Sequence, residues 1–249
     1  MRGILTYHSI DDSGSVISIR PEVFRRQTDW LASGRLRVLP LDEIGDAPLD
    51  ADAVAITFDD GFENFGSVAW PELRRRGLPA TLFVVTERVG RTNAWEDGNG
   101  KGIPELPLLD WDDLGRLADE GVMLGSHTRT HPDLSRLDGR RLEDEIAGSA
   151  ERIQGNTGVH PRAFAYPFGR STLAALNTVR QVYRHACTTE LRFIGPSESP
   201  HLLPRMDMYY FRQPGRLEGW GTPRFRRRVS VRHRIRQLRA RVGRIGSGR

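Results

Sequence analysis

Asp59 and Asp60 stand side by side at the end of a short apolar run, Val54–Phe58, and are followed by Gly61. A short apolar run that ends at a glycine is typical of a buried strand in a parallel sheet. Ligands bind at the carboxyl ends of such strands. Two adjacent carboxylates repel each other there, and burial makes it costly to ionise both. A cation held by one aspartate would relieve this cost and leave the other free to act as a base.

Two histidines, His127 and His131, directly follow another predicted strand, Val122–Gly125. Residues four apart lie on the same side of a helical turn, so both imidazoles can reach one cation. Two imidazoles and one carboxylate leave coordination positions open, as a catalytic metal requires. Zinc, manganese, cobalt, nickel and ferrous iron all fit this ligand set, and the spacing does not choose among them.

Strand and helix patterns alternate along the chain, which favours one α/β domain with a parallel sheet. The predicted strands are 3–7, 37–39, 54–58, 81–85, 122–125, 163–166, 185–188 and 202–206, and the predicted helices are 21–32, 64–76, 111–120, 137–154 and 173–182. Pro71 indicates a kink or a late start in the second helix. Residues 86–107 lack periodicity, and a loop of that length is usually functional or flexible. TIM-like closure is the preferred geometry. An open doubly wound sheet would compete, but the chain has no glycine-rich dinucleotide-binding fingerprint.

Three segments resemble the first three motifs of the NodB-homology polysaccharide deacetylases. They are TFDDG at Thr57–Gly61, SHTRTH at Ser126–His131 and AYPFG at Ala165–Gly169. The resemblance covers residues 3 to about 206. It implies an α/β fold, a distorted (β/α) barrel of about seven parallel strands, and a divalent metal. It also implies removal of an acyl group from an amide or ester on a sugar, most often N-acetylglucosamine.

Carried over by position, the resemblance implies that Asp60, His127 and His131 are the metal ligands. Zn²⁺ is the expected ion, and Co²⁺, Mn²⁺ or Ni²⁺ would suit the same ligands. Asp59 would be the general base that deprotonates the attacking water, or alternatively a carboxylate that orients a ligand. The metal would lower the pKa of water to about 7 and polarise the acyl oxygen.

The third motif implies an oxyanion contact and shows one departure from the family pattern. The backbone N–H of Phe168 would help to hold the oxyanion, whereas the side chains of Tyr166 and Phe168 are expected to pack or to stack on sugar. Many members carry an arginine where this chain has Ala165. Arg205, in the segment LLPRM, is the expected substitute partner of Asp59, while Arg162 is nearby but out of register.

The general acid is the second departure. Many members use a late Leu-x-x-His motif, which this chain lacks in good form. The segment LTYHSI at residues 5–10 instead resembles the N-terminal Tyr-His segment of poly-N-acetylglucosamine deacetylases, a branch with permuted motif order. His8 is therefore the candidate that protonates the leaving amine, and His201 is the reserve.

Composition restricts the class of protein. The chain has 249 residues, 38% hydrophobic and 28% charged, which is ordinary for a globular protein. A single cysteine, Cys187, excludes a disulfide or a cysteine-based zinc site within one chain. The N-terminal sequence does not read as a signal peptide, and no stretch approaches the roughly 18 apolar residues of a membrane span. A cytoplasmic protein, peripheral at the inner membrane face, is the expectation.

The C-terminal part carries a strong positive charge. From residue 205 onward, 14 arginines and 2 acidic residues give +12, and the rest of the chain is −7. We therefore divide the chain into a catalytic domain, 1–210, and an arginine-rich tail, 211–249. Apolar residues at helical spacing predict a basic amphipathic helix; they are Val231, Ile235, Leu238 and Val242. It could lie on an anionic membrane, bind an acidic polymer, or pack on the acidic body. Membrane apposition is the preferred functional option, and nucleic acid is not expected.

The preferred function is a metal-dependent deacylase of an N-acetylated glycan or a lipid-linked sugar. The same scaffold could act on an O-acetyl ester, an N-formyl group or a non-sugar amide. An inactive module that binds carbohydrate or a polyanion is a third possibility. The presence of both aspartates and both histidines argues against that third possibility, but not between the first two.

Overall fold

A computed structural model describes residues 1–48, 50–95, 100 and 102–246, with side chains described as far as residue 238. Its sheet is built from parallel strands: β1 Arg2–Tyr7, β2 Arg37–Val38, β3 Ala53–Phe58, β4 Thr81–Val84, β5 Met123–Ser126, β6 Ala163–Ala165, β7 His185–Cys187 and β8 Met206–Asp207. The order along the sheet is β7-β6-β5-β4-β3-β1-β8, and β2 pairs with the start of β3.

The sheet curls into a barrel-like shape because one segment contacts both of its ends. The backbone N–H of Leu203 donates to the Ala186 carbonyl of β7 at 2.8 Å. Three residues later, Met206 pairs with Leu5 of β1. The prediction of a distorted barrel with about seven parallel strands is confirmed. The predicted strand 202–206 begins only at Met206, because the residues before it bridge to β7 instead.

In the described part of the chain, six α-helices connect and cover the strands: α1 Pro21–Leu31, α2 Trp70–Arg75, α3 Trp111–Asp119, α4 Gly139–Thr157, α5 Leu173–Val182 and α6 Pro223–Gly246. The predicted helix 64–76 begins as a π-helical turn, Phe65–Ala69. Pro71 is the physical reason, because it has no N–H to continue an α-helical ladder. The helix predicted to end at Gly155 continues to Thr157 and ends at Gly158, which has a φ of 72°. Only the second glycine takes the left-handed conformation that closes a helix.

The register between β1 and β3 sets the position of the first candidate residues. All six residues of each strand are buried, and Tyr7 pairs with Phe58. Their rings stack at 5.1 Å, and Phe24 packs edge-on against both. This aromatic layer packs directly below the next residue of each strand. Those residues, His8 and Asp59, consequently lie next to each other at the carboxyl edge.

The start of α6 packs on the body of the protein. Phe225 and Val229 are buried, and the Phe225 ring lies 5.3 Å from those of Phe211 and Trp220. The apolar residues Val231, Ile235 and Leu238 are exposed. The side chain of Val242, the fourth apolar residue of the predicted amphipathic helix, lies outside the described part. Among the described helices, none has the length and apolar character needed to cross a bilayer.

Candidate active site

The predicted metal ligands converge at the carboxyl edge of the sheet. Asp60 follows β3, and His127 and His131 follow β5. The Oδ1 atom of Asp60 lies 3.6 Å from Nε2 of His127 and 3.7 Å from Nε2 of His131. One ligand atom from each residue lies within 4.8 Å of the other two, and all three residues are buried.

Asp60 has the polarity that a cation site requires. Its Oδ1 atom is buried and accepts no hydrogen bond from the described residues, an arrangement that is costly without a positive partner. Burial and the charge of Asp59 raise the pKa of Asp60, although His8 and His127 oppose this. A buried carboxylate oxygen facing two imidazole nitrogens matches the donor set of a divalent metal such as zinc.

The orientation of His127 is fixed by the third motif. Its Nδ1 lies 2.7 Å from the carbonyl oxygen of Ala165. Nδ1 is therefore the protonated nitrogen that donates to this carbonyl, and the Nε2 lone pair faces Asp60. Such a hydrogen bond is the usual support of a metal-ligating histidine. Ala165 thus has a backbone role in the site, at the position where many relatives were expected to carry an arginine.

His131 is held by aromatic rings. Trp95 stacks on its imidazole with a centroid distance of 4.5 Å, and Phe168 contacts it edge-on at 4.9 Å. Burial and the neighbouring His127 hold the pKa of His131 well below its usual value, so the neutral form, which binds metals, is favoured. Trp95 belongs to the aperiodic loop 86–107, and its role could not be read from the sequence. Residues 96–99 and 101 of that loop lie outside the described residues.

Backbone strain is concentrated at this site. Among the described residues, the non-glycine residues with positive φ are Asp60 at 73°, Thr128 at 71°, His131 at 67° and Phe168 at 57°. Such conformations cost free energy and cluster at functional sites, where the surrounding contacts maintain them. All four here belong to the three motifs found in the sequence, and two of them, Asp60 and His131, are predicted metal ligands.

Glu145, on α4, supports the segment between the two histidines. Its carboxylate accepts hydrogen bonds from the backbone N–H groups of Arg129 at 2.8 Å and Thr130 at 2.9 Å, and from the Thr130 hydroxyl at 2.7 Å. Thr128 adds a fourth restraint, because its hydroxyl accepts from the N–H of His131 at 3.0 Å. Glu145 was missed in the sequence, where it looks like any charged residue of an amphipathic helix.

Asp59 forms a buried ion pair with Arg205. The two guanidinium nitrogens Nη1 and Nη2 contact Oδ1 and Oδ2 at 2.6 and 2.7 Å, and Nε of Arg205 donates to the Thr188 carbonyl at 2.9 Å. Burial alone would raise the pKa of Asp59, but Arg205, then His127 and His8, bring it far below its usual range. Asp59 is therefore ionised. Arg162, by contrast, lies 4.0 Å from Asp42 and away from the site.

His8 faces Asp59 from the end of β1. Its Nε2 lies 3.8 Å from Oδ2 of Asp59, and its side chain is 25% exposed. Both residues line a cavity of about 370 Å³, which Arg205 and Asp207 also line. His8 can therefore reach both Asp59 and a ligand in the cavity. His201, the reserve, lies elsewhere, with its Nε2 3.0 Å from the carbonyl oxygen of Tyr183.

The two aromatic residues of the third motif have different surroundings. Tyr166 is fully buried and packs on Phe164 at a centroid distance of 5.2 Å. Phe168 is 49% exposed and forms a wall beside His131. Its backbone N–H has no acceptor among the described residues, so it is free to bond an anionic oxygen. Packing thus accounts for Tyr166, whereas Phe168 is placed to contact a ligand.

Known proteins are similar to this chain in sequence and in fold. The Bacillus subtilis protein YxkH is 27% identical over 193 residues, which are 75% of this chain but only 64% of the length of YxkH. The poly-beta-1,6-N-acetyl-D-glucosamine N-deacetylase of Staphylococcus epidermidis is 24% identical over 205 residues, covering 76% of this chain and 67% of that protein.

Solved structures agree with these relatives. IcaB from Ammonifex degensii has a TM-score of 0.70 and 25% identity, with 87% of this chain and 94% of that chain covered. The polysaccharide deacetylase BC0361 from Bacillus cereus has a TM-score of 0.69 and 25% identity, with 83% and 64% covered. The expected likeness to the poly-N-acetylglucosamine deacetylase branch is confirmed. Residues 46–186, more than half of the chain, match the family model described as polysaccharide deacetylase. The chain therefore belongs to the polysaccharide deacetylase family.

Proposed function

We propose that this chain is a metal-dependent deacetylase that hydrolyses the acetamido group of an N-acetylglucosamine-containing glycan. The observation that carries the proposal is the buried, unpartnered Oδ1 of Asp60, which faces the Nε2 atoms of His127 and His131. The adjacent Asp59 is free of this cluster and paired with Arg205. Relatives named as deacetylases of poly-N-acetylglucosamine, peptidoglycan N-acetylglucosamine and chitooligosaccharides support the substrate class.

Asp60, His127 and His131 would hold the metal. When bound, a divalent cation supplies a Lewis acid that acidifies water and polarises the acyl oxygen. Three protein ligands leave room for water and substrate, as catalytic sites do. Zn²⁺ is our preferred ion, because one carboxylate and two imidazoles are common zinc ligands.

Asp59 would accept the proton of the attacking water. Its ion pair with Arg205 fixes the orientation of the carboxylate and keeps it ionised, so the base is present at neutral pH. Both carboxylate oxygens are used by this pair, and uptake of a proton must therefore weaken one of the two hydrogen bonds. Arg205 consequently makes Asp59 a weak base that returns its proton readily.

The remaining residues would complete the reaction. The oxygen of water bonds to the acyl carbon, and the resulting oxyanion accepts a hydrogen bond from the Phe168 N–H. His8 then donates a proton to the leaving nitrogen as the carbon–nitrogen bond breaks, which releases acetate and a free amine. Trp95 and Phe168, which both contact His131, would provide aromatic surfaces on which a sugar ring can stack.

A substrate and metal panel tests the proposal. Metal-free protein would be assayed with added Zn²⁺, Co²⁺, Mn²⁺ or Ni²⁺ on β-1,6- and β-1,4-linked N-acetylglucosamine oligomers, and acetate and free amine would be measured. Matched O-acetyl and N-formyl sugars separate the alternative acyl groups. Metal-dependent release of one amine per acetate is expected. Equal activity in the metal-free protein, or release from esters alone, would contradict the proposal.

Association of α6 with an anionic membrane stays a separate prediction. Val231, Ile235 and Leu238 are exposed among arginines, as in helices that lie at a membrane surface. Replacing these three residues by serine should abolish co-sedimentation with anionic liposomes. Serine substitution is a better test than deletion of the tail, because Phe225 and Val229 of the same helix are buried in the body.

A further inference from the structure

A second cavity, lined by arginines, adjoins the candidate active site. It has a volume of about 220 Å³ and lies between the segment after β8 and the first half of α6. Four arginines line it: Arg212, Arg216, Arg228 and Arg232. Tyr209, Tyr210 and Gln213 are the other described residues of its wall, and no carboxylate is among them.

These arginines have no carboxylate partner among the described residues. No described acidic oxygen lies within 4.0 Å of their guanidinium nitrogens, and Glu218 of the same segment pairs with Arg26 instead. Arg216, Arg228 and Arg232 are nevertheless half-buried. Elsewhere in the chain, half-buried arginines such as Arg192 are paired with glutamates.

Like charges are therefore crowded in a partly desolvated place. Burial, and then the charges of Arg216, Arg224 and Arg232, lower the pKa of Arg228. Within the described part, the compensation consists of two aromatic faces and one hydrogen bond, which Nη1 of Arg212 donates to the Tyr209 carbonyl at 3.3 Å. Arg212 lies 3.7 Å above Tyr209 and Arg232 lies 4.1 Å above Tyr210. Cation–π contacts orient these groups but use none of their N–H donors, and no described acceptor binds the guanidinium N–H groups of Arg216, Arg228 or Arg232. An anion in the cavity would satisfy those donors and remove the repulsion.

The chemistry of four guanidinium groups favours one class of anion. A carboxylate offers two oxygens and is matched by one bidentate arginine. A phosphate ester offers more acceptor oxygens and a charge approaching −2, so several arginines can bind it together. The cavity is thus better matched to phosphate than to a uronic acid.

The arginine cavity is connected to the active site. Tyr209 and Tyr210 also line the 370 Å³ cavity that contains His8 and Asp59. Arg236, one helical turn beyond Arg232, lines that larger cavity as well. A ligand could therefore extend across the two tyrosines, with one end beside His8 and Asp59, the residue next to Asp60 in the chain, and the other among the arginines.

We propose that the arginine cavity binds a phosphate ester, and that this phosphate belongs to the glycan whose acetamido group lies at the metal cluster. The first part concerns binding alone. The second part, which rests on the proposed function, makes the substrate class a phosphate-bearing N-acetylated glycan.

Calorimetry with inorganic phosphate and pyrophosphate tests the first part on the full chain. The Arg228→Gln/Arg232→Gln variant should bind pyrophosphate at least tenfold more weakly than the unaltered protein. The Arg35→Gln/Arg140→Gln variant, which removes the same charge from exposed sites, should change binding less than twofold. Arg216→Gln, outside α6, repeats the test if the helical variant unfolds. Equal weakening in the exposed-site control, or acetate binding as tightly as phosphate, would overturn the site.

Kinetics test the second part. The ratio of kcat/KM for a phosphorylated N-acetylglucosamine oligomer to that for its neutral counterpart should exceed ten, and should fall toward one in Arg228→Gln/Arg232→Gln. An active enzyme with no such preference would overturn the substrate assignment and leave the anion site intact. Binding only to phospholipid vesicles, and not to soluble phosphate esters, would assign the phosphate to a lipid headgroup and would also overturn the substrate assignment. A protein that binds pyrophosphate but deacetylates neither oligomer would instead contradict the proposed function.

Discussion

Asp59 and Arg205 are 146 residues apart in the chain and form a buried bidentate ion pair with distances of 2.6 and 2.7 Å. The pair joins the end of β3 to the segment that closes the sheet between β7 and β8. Its guanidinium also lies 5.5 Å from the centroid of the Phe83 ring. One interaction therefore orients the carboxylate of the candidate base and holds the last strand of the barrel in place.

Arg205→Gln should reduce both activity and stability. It leaves Asp59 buried without a positive partner, and breaking a buried ion pair from one side costs about 3–5 kcal/mol. Denaturant unfolding should show a loss of this size, with the slope unchanged. Arg162→Gln is the control, since Arg162 is exposed and its nearest carboxylate is 4.0 Å away. A loss below about 1 kcal/mol in Arg205→Gln would mean that the pair does not fasten the strand.

His8→Ala should lower kcat while leaving the metal in place. A positioned proton donor typically contributes about 10²–10⁴-fold, so a fall of at least a hundredfold is expected. His8 lies against Asp59 rather than in the metal cluster, and metal content measured by atomic emission should stay at the unaltered level. His201→Ala, which removes a histidine bonded to the Tyr183 carbonyl, is the matched control. If His8→Ala retained nearly full turnover, another group would have to be the acid.

His127→Ala should remove the metal. The substitution deletes one of three ligand atoms that lie within 4.8 Å of one another, and the two that remain cannot complete the tetrahedral set of zinc. Metal stoichiometry after dialysis should fall from one toward zero, and deacetylase activity should disappear with it. His160→Ala, at an exposed site, should keep both. An unchanged stoichiometry in His127→Ala would refute the ligand assignment.

The sequence was sufficient to predict which strands the motifs follow and at which edge of the sheet the site lies, because both follow from local patterns. Apolar runs that end in polar residues marked β1, β3 and β5, and parallel strands bring their carboxyl ends together. Asp60 and the two histidines lie in contact for this reason. Predicting Arg205 as the partner of Asp59 needed the resemblance, since nothing local links residues 59 and 205.

Other parts of the site could not be predicted because they depend on tertiary contacts. The Ala165 carbonyl that orients His127 is a backbone atom, and any residue at that position supplies one. Glu145 acts through the turn that happens to lie against α4. The arginine cavity forms only because α6 folds back over the segment after β8, which places Arg212 and Arg216 opposite Arg228 and Arg232. In the sequence, these residues form merely a basic tail.

Glu145→Ala should weaken metal binding without unfolding the protein. The carboxylate holds the backbone of Arg129 and Thr130, and residues that support metal ligands typically contribute 10–100-fold to metal affinity. Competition with a zinc chelator should show a loss in this range. Glu145→Gln keeps an acceptor for the two N–H groups and should restore most of the affinity. Glu143→Gln, exposed on the same helix, should have no effect. If Glu145→Ala bound zinc as tightly as the unaltered protein, the turn would be held by other contacts.

Stability should depend on pH through the pair of Arg192 and Glu198, in the segment that leads from β7 to β8. The Nη2 atom of Arg192 donates to Oε1 of Glu198 at 2.9 Å, and the Gly195 N–H donates to Oε2 at 3.2 Å. These bonds lower the pKa of Glu198 in the folded state. The pair therefore stabilises the protein fully at pH values above the pKa of about 4.3 that glutamate has in the unfolded chain. This contribution is lost as the pH falls through the lower pKa of the folded state. Glu198→Gln should therefore lower the free energy of unfolding by about 1–2 kcal/mol at pH 7 and by much less at pH 3.

Glu190→Gln, which removes a half-exposed partner of the same arginine, is the control and should lower the free energy of unfolding by less than about 1 kcal/mol at either pH. A cost for Glu198→Gln that is equal at pH 7 and pH 3 would show that its charge is not what stabilises the segment.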